Sequence, residues 1–587
     1  MRADLLARGA RGEDEATAGV GRRPALDEKT SLAALAAIVL AVLVLPPLIL
    51  LLKGSLTRTA PDGSVSYSFS NFSEILSQPG FRESALNSFI FAFGSSVIAL
   101  WVGGAIAWLV ERTNTPWKPL AYLTTIISLG TPYVLYTSAW LLLLEKSGPV
   151  NALYRSLTGS THVLFDVYGL PGMILIEGLL WSPLVFLLLG ATFRTFNPEL
   201  EEAARVSGAS AGQTLRRVTL RLSLPSILAL SLLVFIRALE SFEVPALVGS
   251  PGRVHVLATD IYNTMNLTMP PDLGGASALS VLLLFVVSAL LLFYGRLTRS
   301  AEKFATITGK NFRPHQLDLG NWRFLGAAVL VVNFTVLLIL PTLILVWASL
   351  LPFYQPFNMA AAAHVSFINF RHVLDSSRYV SLLENTLIIA AAAATAVMAI
   401  ASLVAWLSVR KASGARILDQ LATMPLVFPG IVLGVGVMQV FLAVPVGVYG
   451  TIWIIAWAFV INYMPYGVRY SFAGMLQVHR ELEEAAAVSG ADPFTGFRRV
   501  VLPLLAPSMF AGWLFVFLLS TRVLALPVML SGPSSQTMAV AMFDLWGNGE
   551  GPELAALGLL WSLMMTAIAL VFYFVARRSG AGLHRQN

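Results

Sequence analysis

Apolar runs of about twenty residues recur along the whole chain, each long enough to cross the hydrocarbon core of a bilayer as an α-helix. No other feature narrows the fold so far. A segment in lipid has no water to satisfy its backbone N–H and C=O groups and must satisfy them within itself. The runs fall at 31–52, 85–110, 120–144, 172–192, 222–242 and 276–295, then at 324–350, 383–408, 417–443, 450–470, 505–525 and 555–576. They predict an all-α polytopic membrane protein with about 12 transmembrane helices. Of the 587 residues 56% are hydrophobic and only 12% charged, and the charges are swept into the short segments between runs. A soluble chain of this length would divide into domains with charged surfaces. Some runs contain proline and glycine, as in PLVFPGIVLGVG at 425–436; membrane helices tolerate these where neighbours satisfy the freed backbone groups.

With the N-terminus in the cytoplasm, the segments on that side hold 29 of the 39 Lys and Arg residues. That excess obeys the positive-inside rule and predicts that both termini are cytoplasmic. It also accounts for a net charge of +7 and a pI near 9.6 without any nucleic-acid partner. The first helix lacks a convincing cleavage site after it and is expected to stay as a span. The chain has no cysteine, which excludes disulfides, thiolate metal sites and thiol catalysis.

The chain also repeats itself. ELEEAARVSGA at 199–209 returns as ELEEAAAVSGA at 481–491, an offset of 282. Carried without gaps to 226 and 508, the alignment matches 17 of 28 positions, including Arg216 and Arg217 with Arg498 and Arg499. Further upstream Asn87 and Ala107-Trp108-Leu109 fall on Asn385 and Ala405-Trp406-Leu407 at an offset of 298, the difference being absorbed mainly by a longer outward loop at 148–169. Two copies of a six-helix unit follow, at 31–295 and 324–576, joined by a basic cytoplasmic linker at 296–323. Disordered cytoplasmic tails are expected at 1–30, and a short cytoplasmic tail at 577–587. Six is even, so the copies lie parallel, with a path between them along the membrane normal.

Both copies of the phrase fall in a cytoplasmic loop between the fourth and fifth helix of their unit. Asn197 suits an N-cap, Pro198 the first helical position, and Glu199, Glu201 and Glu202 the positive end of a helix dipole. Leu200, Ala203, Ala204 and Ser207 share one shallow face, and Gly208 permits a sharp turn. A second short segment with Arg216 and Arg217 leads into the fifth helix.

The pattern E-A-A, three residues, G, nine residues, then aliphatic-x-Leu-Pro resembles the cytoplasmic signature of binding-protein-dependent ABC importer permeases of the type I fold. Glu484-Ala485-Ala486, Gly490 and Val500-Val-Leu-Pro503 fit throughout. Glu202-Ala203-Ala204 and Gly208 fit in the first half, where Arg221 replaces the usual proline and bears on how the fifth helix begins. The resemblance implies that Glu202, Ala203, Ala204, Gly208, Glu484, Ala485, Ala486 and Gly490 form two coupling helices. Each would sit in a groove of a separate ATP-binding ABC subunit, most simply two copies of one, with solute delivered by an extracytoplasmic binding protein at a bacterial inner membrane. No G-x-x-x-x-G-K-[ST] phosphate loop occurs in the chain, so it needs a separate motor and is itself no enzyme.

In FIRALESFEVPALVG at 235–249, Arg237, Glu240 and Glu243 stand three apart near the outer part of the fifth helix, and charges at that depth need partners. Glu240 aligns with Arg522, so Glu240, Glu243 and Arg522 are candidates for a translocation path or gate. Either Glu240 pairs with Arg522 across the path, or it pairs locally with Arg237. Glu177, Asp419, Asn87 and Asn385 read as interhelical hydrogen-bonding groups. His364 and His372 lie in an outward loop as solvated residues, and neither a metal site nor a cofactor is expected.

The RALESFEVPALVG phrase in a fused two-unit chain most resembles the iron(III) permeases of that family, whose relatives move thiamine, polyamines and phosphonates. A secondary carrier also comprises two parallel six-helix halves, but it would have no use for a duplicated inward turn. A scaffold without a translocation path is the third reading.

Overall fold

In the computed structural model residues 28–59, 65–195, 199–302, 316–444 and 446–583 are described. The expected tail at 1–30 lies outside them apart from its last three residues, which already begin the first helix; 303–315 of the linker and 584–587 of the C-terminal tail also lie outside.

The helices follow the apolar runs. The first half holds α1 (Glu28–Leu56), α2 (Pro79–Arg112), α3 (Pro119–Gly130), α4 (Tyr133–Leu144), α5 (Leu170–Thr195), α6 (Glu199–Val206), α7 (Leu220–Leu239) and α8 (Leu273–Glu302). The second holds α9 (Trp322–Ser349), α10 (Ser377–Val409), α11 (Ala415–Val427), α12 (Gly430–Ala443), α13 (Ile452–Met475), α14 (Glu481–Val488), α15 (Leu502–Ser520) and α16 (Gly551–Leu583). Strand pairing among the described residues is confined to a small antiparallel ribbon, β1 (Thr57–Thr59) with β2 (Val65–Tyr67), and one isolated bridge.

By length and composition, nine helices among the described residues can cross a membrane, or eleven if each of two bent pairs is one span. The run at 450–470 becomes α13, 24 residues long and made less apolar by Asn462, Pro465 and Arg469.

The expectation of a continuous third helix in each unit is corrected. The runs at 120–144 and 417–443 each fold as two pieces bent by 111°, α3 with α4 and α11 with α12. Proline is the cause in both. Pro132 and Pro429 stand just before the second piece with ψ of 138° and 142°, and the residues before them, Thr131 and Phe428, are held extended at ψ 134° and 114°. A residue preceding proline is disfavoured in the α region, so the helix ends there and restarts in a new direction.

The halves are interleaved. Helix α1 packs on α8 of its own half and also on α11 and α12 of the other; α9 packs on α16 of its own half and on α3 and α4 of the first. Each first helix thus buries its apolar surface against the broken span of the opposite half. Within each half the second span packs against the fourth and fifth, as α2 with α5 and α7, and α10 with α13 and α15.

Polar ties repeat as well. Asn87 Nδ2 donates to the His255 carbonyl at 3.2 Å and Asn385 Nδ2 to the Ser534 and Gln536 carbonyls at 3.1 and 3.2 Å. The Ser88 hydroxyl accepts from Leu257 N–H and the Thr386 hydroxyl from Met538 N–H, both at 2.9 Å. Each pair anchors a second span to the segment beyond the fifth, where an apolar surrounding leaves an unpaired backbone N–H costly.

Candidate functional site

The repeated phrase folds the same way twice, as α6 and α14. Glu481, Glu483 and Glu484 fill the first turn of α14; the proposed N-cap Asn197 and Pro198 of α6 lie outside the described residues. Gly208 and Gly490 end the helices at φ of +86° and +87°. The N–H of the next residue closes each turn, from Ala209 to the Ala204 carbonyl and from Ala491 to the Ala486 carbonyl, both at 3.0 Å. A Cβ on either glycine would meet nothing within 4 Å. Their requirement is therefore conformational, since the left-handed region is open to glycine and costly to other residues.

The chain then starts a short second helix. Ser210 Oγ accepts from Gln213 N–H at 3.3 Å, and Asp492 accepts from the Thr495 N–H and hydroxyl at 2.7 and 2.8 Å. Those Thr495 donors hold the Asp492 carboxyl below its ordinary range. One π-turn follows in each half, Leu215–Thr219 and Phe497–Val501, carrying the paired arginines. The fifth span begins at the equivalent residue after both, Leu220 and Leu502, so Arg221 in place of the usual proline does not shift its first residue.

The second glutamate of each phrase, expected in Glu201 only to favour the helix dipole, holds the loop to the body. Arg112, at the end of α2, forms an ion pair with Glu201, and Glu201 also accepts from the Thr219 hydroxyl at 2.6 Å. Arg410, just past α10, pairs with Glu483 at 2.7 Å, and Glu483 accepts from Trp406 Nε1 at 2.9 Å. Each arginine also donates to a carbonyl near the end of the fourth span, Arg112 to Phe193 at 3.3 Å and Arg410 to Val478 at 2.9 Å. A helix C-terminus favours a cation there. The signal was present: Arg112 and Arg410 are related by the same offset of 298 as Trp108 and Trp406, three residues beyond the matched triplet.

With that glutamate turned inward, its neighbours face out. Glu202, Ala203, Glu484 and Ala485 are exposed, and Ala204 and Ala486 half-buried. Glu484 pairs with Arg480 at 3.0 Å on the surface. Val206 and Val488 are 89% and 90% exposed, with Leu200 and Leu482 exposed beside them. Each collar therefore offers a small apolar face ringed by carboxylates, a surface suited to a protein groove.

The second constellation lies between the halves. Arg237 pairs with Glu240 Oε2 at 2.7 Å, so Glu240 finds its counter-charge locally and forms no ion pair with Arg522. Its Oε1 is buried with no hydrogen-bond partner among the described residues. Arg522 instead donates to the Leu129 carbonyl, in the last turn of α3, and at 2.8 Å to the Tyr133 hydroxyl, with its guanidinium 4.7 Å from the Tyr133 ring centre. Glu243 reaches across the other way and accepts from Leu524 N–H at 3.1 Å. The two halves are thus cross-linked at one level by residues following each fifth span. Glu177 accepts from Trp181 Nε1 at 2.9 Å and from the Ser241 hydroxyl at 3.1 Å, while Asp419 is exposed. Among the described residues no three His, Asp or Glu side chains converge on a metal-sized site; His364 Nδ1 is 3.0 Å from the Ala360 carbonyl.

This geometry makes a charge-swap test informative. Glu240→Arg would set two arginines face to face, and Arg522→Glu would turn a carboxylate toward the Leu129 carbonyl. The double reversal is expected to transport no better than the worse single variant, read as uptake rate in cells with matched membrane levels. Recovery in the double variant would mean that Glu240 and Arg522 meet in another state of the cycle.

Residues 99–303 match the family described as binding-protein-dependent transport system inner membrane component. The chain is similar to the ferric transport system permease protein FbpB of Actinobacillus pleuropneumoniae, with 24% identity over 83% of this chain and 70% of the relative. A putative ferric transport system permease protein of Haemophilus influenzae is 26% identical over 74% of this chain and 68% of its own length. The putrescine transport system permease protein PotI of Escherichia coli is 28% identical over 35% of this chain and 75% of its own.

Proposed function

We propose that the chain is a multi-pass transport subunit of the binding-protein-dependent inner-membrane permease family, its unit duplicated within one polypeptide, and that it carries ferric iron into the cell. Two relatives that span most of its length are described as ferric permeases, one of them putative. A relative that matches 35% of the chain is described as a putrescine permease, and it marks the runner-up solute class.

The observation that carries the mechanism is the pair of solvent-exposed collars, each locked by an arginine–glutamate pair and ended by a left-handed glycine. In this reading Glu202, Ala203, Ala204 and Gly208, with Glu484, Ala485, Ala486 and Gly490, dock two ATP-binding subunits, one per half. Both termini and the linker then lie in the cytoplasm, with units at 31–295 and 324–576. Closure of the ATPase pair pulls α6 and α14 together, and the arginine–glutamate locks pass that motion to α2 and α10. The far end of the same bundle carries Glu240, Glu243 and Arg522, whose cross-half bonds to Leu524, Leu129 and Tyr133 must break if the halves part there. They therefore act as a gate. A binding protein on the outer face delivers the solute.

Cells with and without the chain, supplied with radiolabelled ferric ion, are expected to differ in uptake, and the purified chain is expected to bring down an ATPase whose hydrolysis a loaded binding protein stimulates. Unchanged iron uptake beside altered putrescine uptake would reassign the solute and leave the mechanism standing.

A further inference from the structure

The ends of α2 and α10 occupy equivalent places, but the chain leaves them differently. After Arg410 the backbone turns at once, with Lys411 at φ +55°, Gly414 at φ +84° and Ala412 N–H bonded back to the Leu407 carbonyl at 2.9 Å. After Arg112 it runs out extended, with Thr113 at φ −122° and ψ 166°. An extended stretch offers backbone groups that need partners.

The described end of the linker supplies them. Leu317 forms a parallel bridge with Thr113. Its N–H donates to the Arg112 carbonyl at 2.8 Å, and its carbonyl accepts from Asn114 N–H at 3.1 Å. Asn114 Nδ2 donates to Asp318 Oδ1 at 2.6 Å, and Asn114 Oδ1 accepts from Leu319 N–H at 3.1 Å. Leu317 is buried, and Leu319 packs against the cluster that contains Leu109, Val110 and Leu330. The residue whose carbonyl the linker grips is the arginine whose side chain locks Glu201. The first lock is correspondingly sealed, its two side chains 1% and 5% exposed, against 13% and 11% for Arg410 and Glu483.

We infer that Leu317, Asp318 and Leu319 form a positioning strap that fixes the first docking helix to the body through Asn114 and Arg112, making the two docking loops inequivalent and tightening the coupling of ATP turnover to transport through the first half. The strap rests on the reading of α6 and α14 as ATPase-docking helices.

The test uses the full chain with the ATPase that copurifies with it, in proteoliposomes with a loaded binding protein, reading solute moved per ATP hydrolysed. Asn114→Asp sets two carboxylates face to face, and Asp318→Asn removes the charged acceptor. Each is expected to lower the ratio roughly threefold to fivefold, the size of an exposed charged contact. The swap N114D/D318N restores an amide against a carboxylate and is expected to recover most of the ratio. Unchanged ratios in both single variants, with ATPase bound as in the wild type, would overturn the strap alone. Loss without recovery in the swap would overturn it too, by showing that the site serves only folding. A wild-type chain that binds no ATPase would instead overturn the docking reading, and the strap with it.

Discussion

Arg112→Ala is expected to abolish transport and release the first docking loop, whereas Arg410→Ala weakens it. Arg112 and Glu201 are almost wholly buried, and removing one member of a buried pair strands the other charge at a cost of about 3–5 kcal/mol. Among the described residues only the Thr219 hydroxyl would remain on the carboxylate. In the second half the pair is partly wet and Trp406 Nε1 keeps its bond to Glu483, so water and indole share what the guanidinium leaves. Glu201→Gln, which keeps hydrogen-bonding atoms and removes the charge, should fall between wild type and Glu201→Ala. Limited proteolysis between residues 199 and 221, with uptake measured in parallel, checks the order. Equal sensitivity of the two arginine variants would show that burial does not set the strength of the locks.

The double substitution Gly208→Val with Gly490→Val is expected to stop uptake while the chain still reaches the membrane. At φ near +87° a residue with a Cβ is strained by about 1–2 kcal/mol, and a β-branched one more so. Nothing stands within 4 Å of either position to clash, so the bundle has no reason to unfold. The helix ends and the turn that follows them change instead, and both exposed faces lose their geometry together. Membrane level by immunoblot and solute uptake decide the matter, and normal uptake in the double variant would sink the docking assignment.

How far these sites were legible varies by residue. Gly208 and Gly490 could be read because a small residue ending a short polar helix between two apolar runs has one common use, and the structure has them left-handed. Glu201 and Glu483 could not be told from Glu202 and Glu484, since four-letter spacing does not say which carboxylate turns toward an arginine 89 residues back in one half and 73 in the other. Glu240 left two partners open, and the structure pairs it with Arg237, three residues away. Arg522 found a carbonyl and a tyrosine of the opposite half, a partnership of 393 and 389 residues' separation that no local pattern encodes.

Apolar length and an internal repeat are properties of the chain itself, and they determined the all-α membrane class and the two short helices that the repeated phrase forms. Tertiary structure alone decided that each third span breaks by 111° at its proline, that α1 and α9 cross to the opposite halves, and which atom each buried charge meets. A buried charge takes whichever donor or acceptor packing brings within reach, and in an interleaved bundle that neighbour comes from far along the chain.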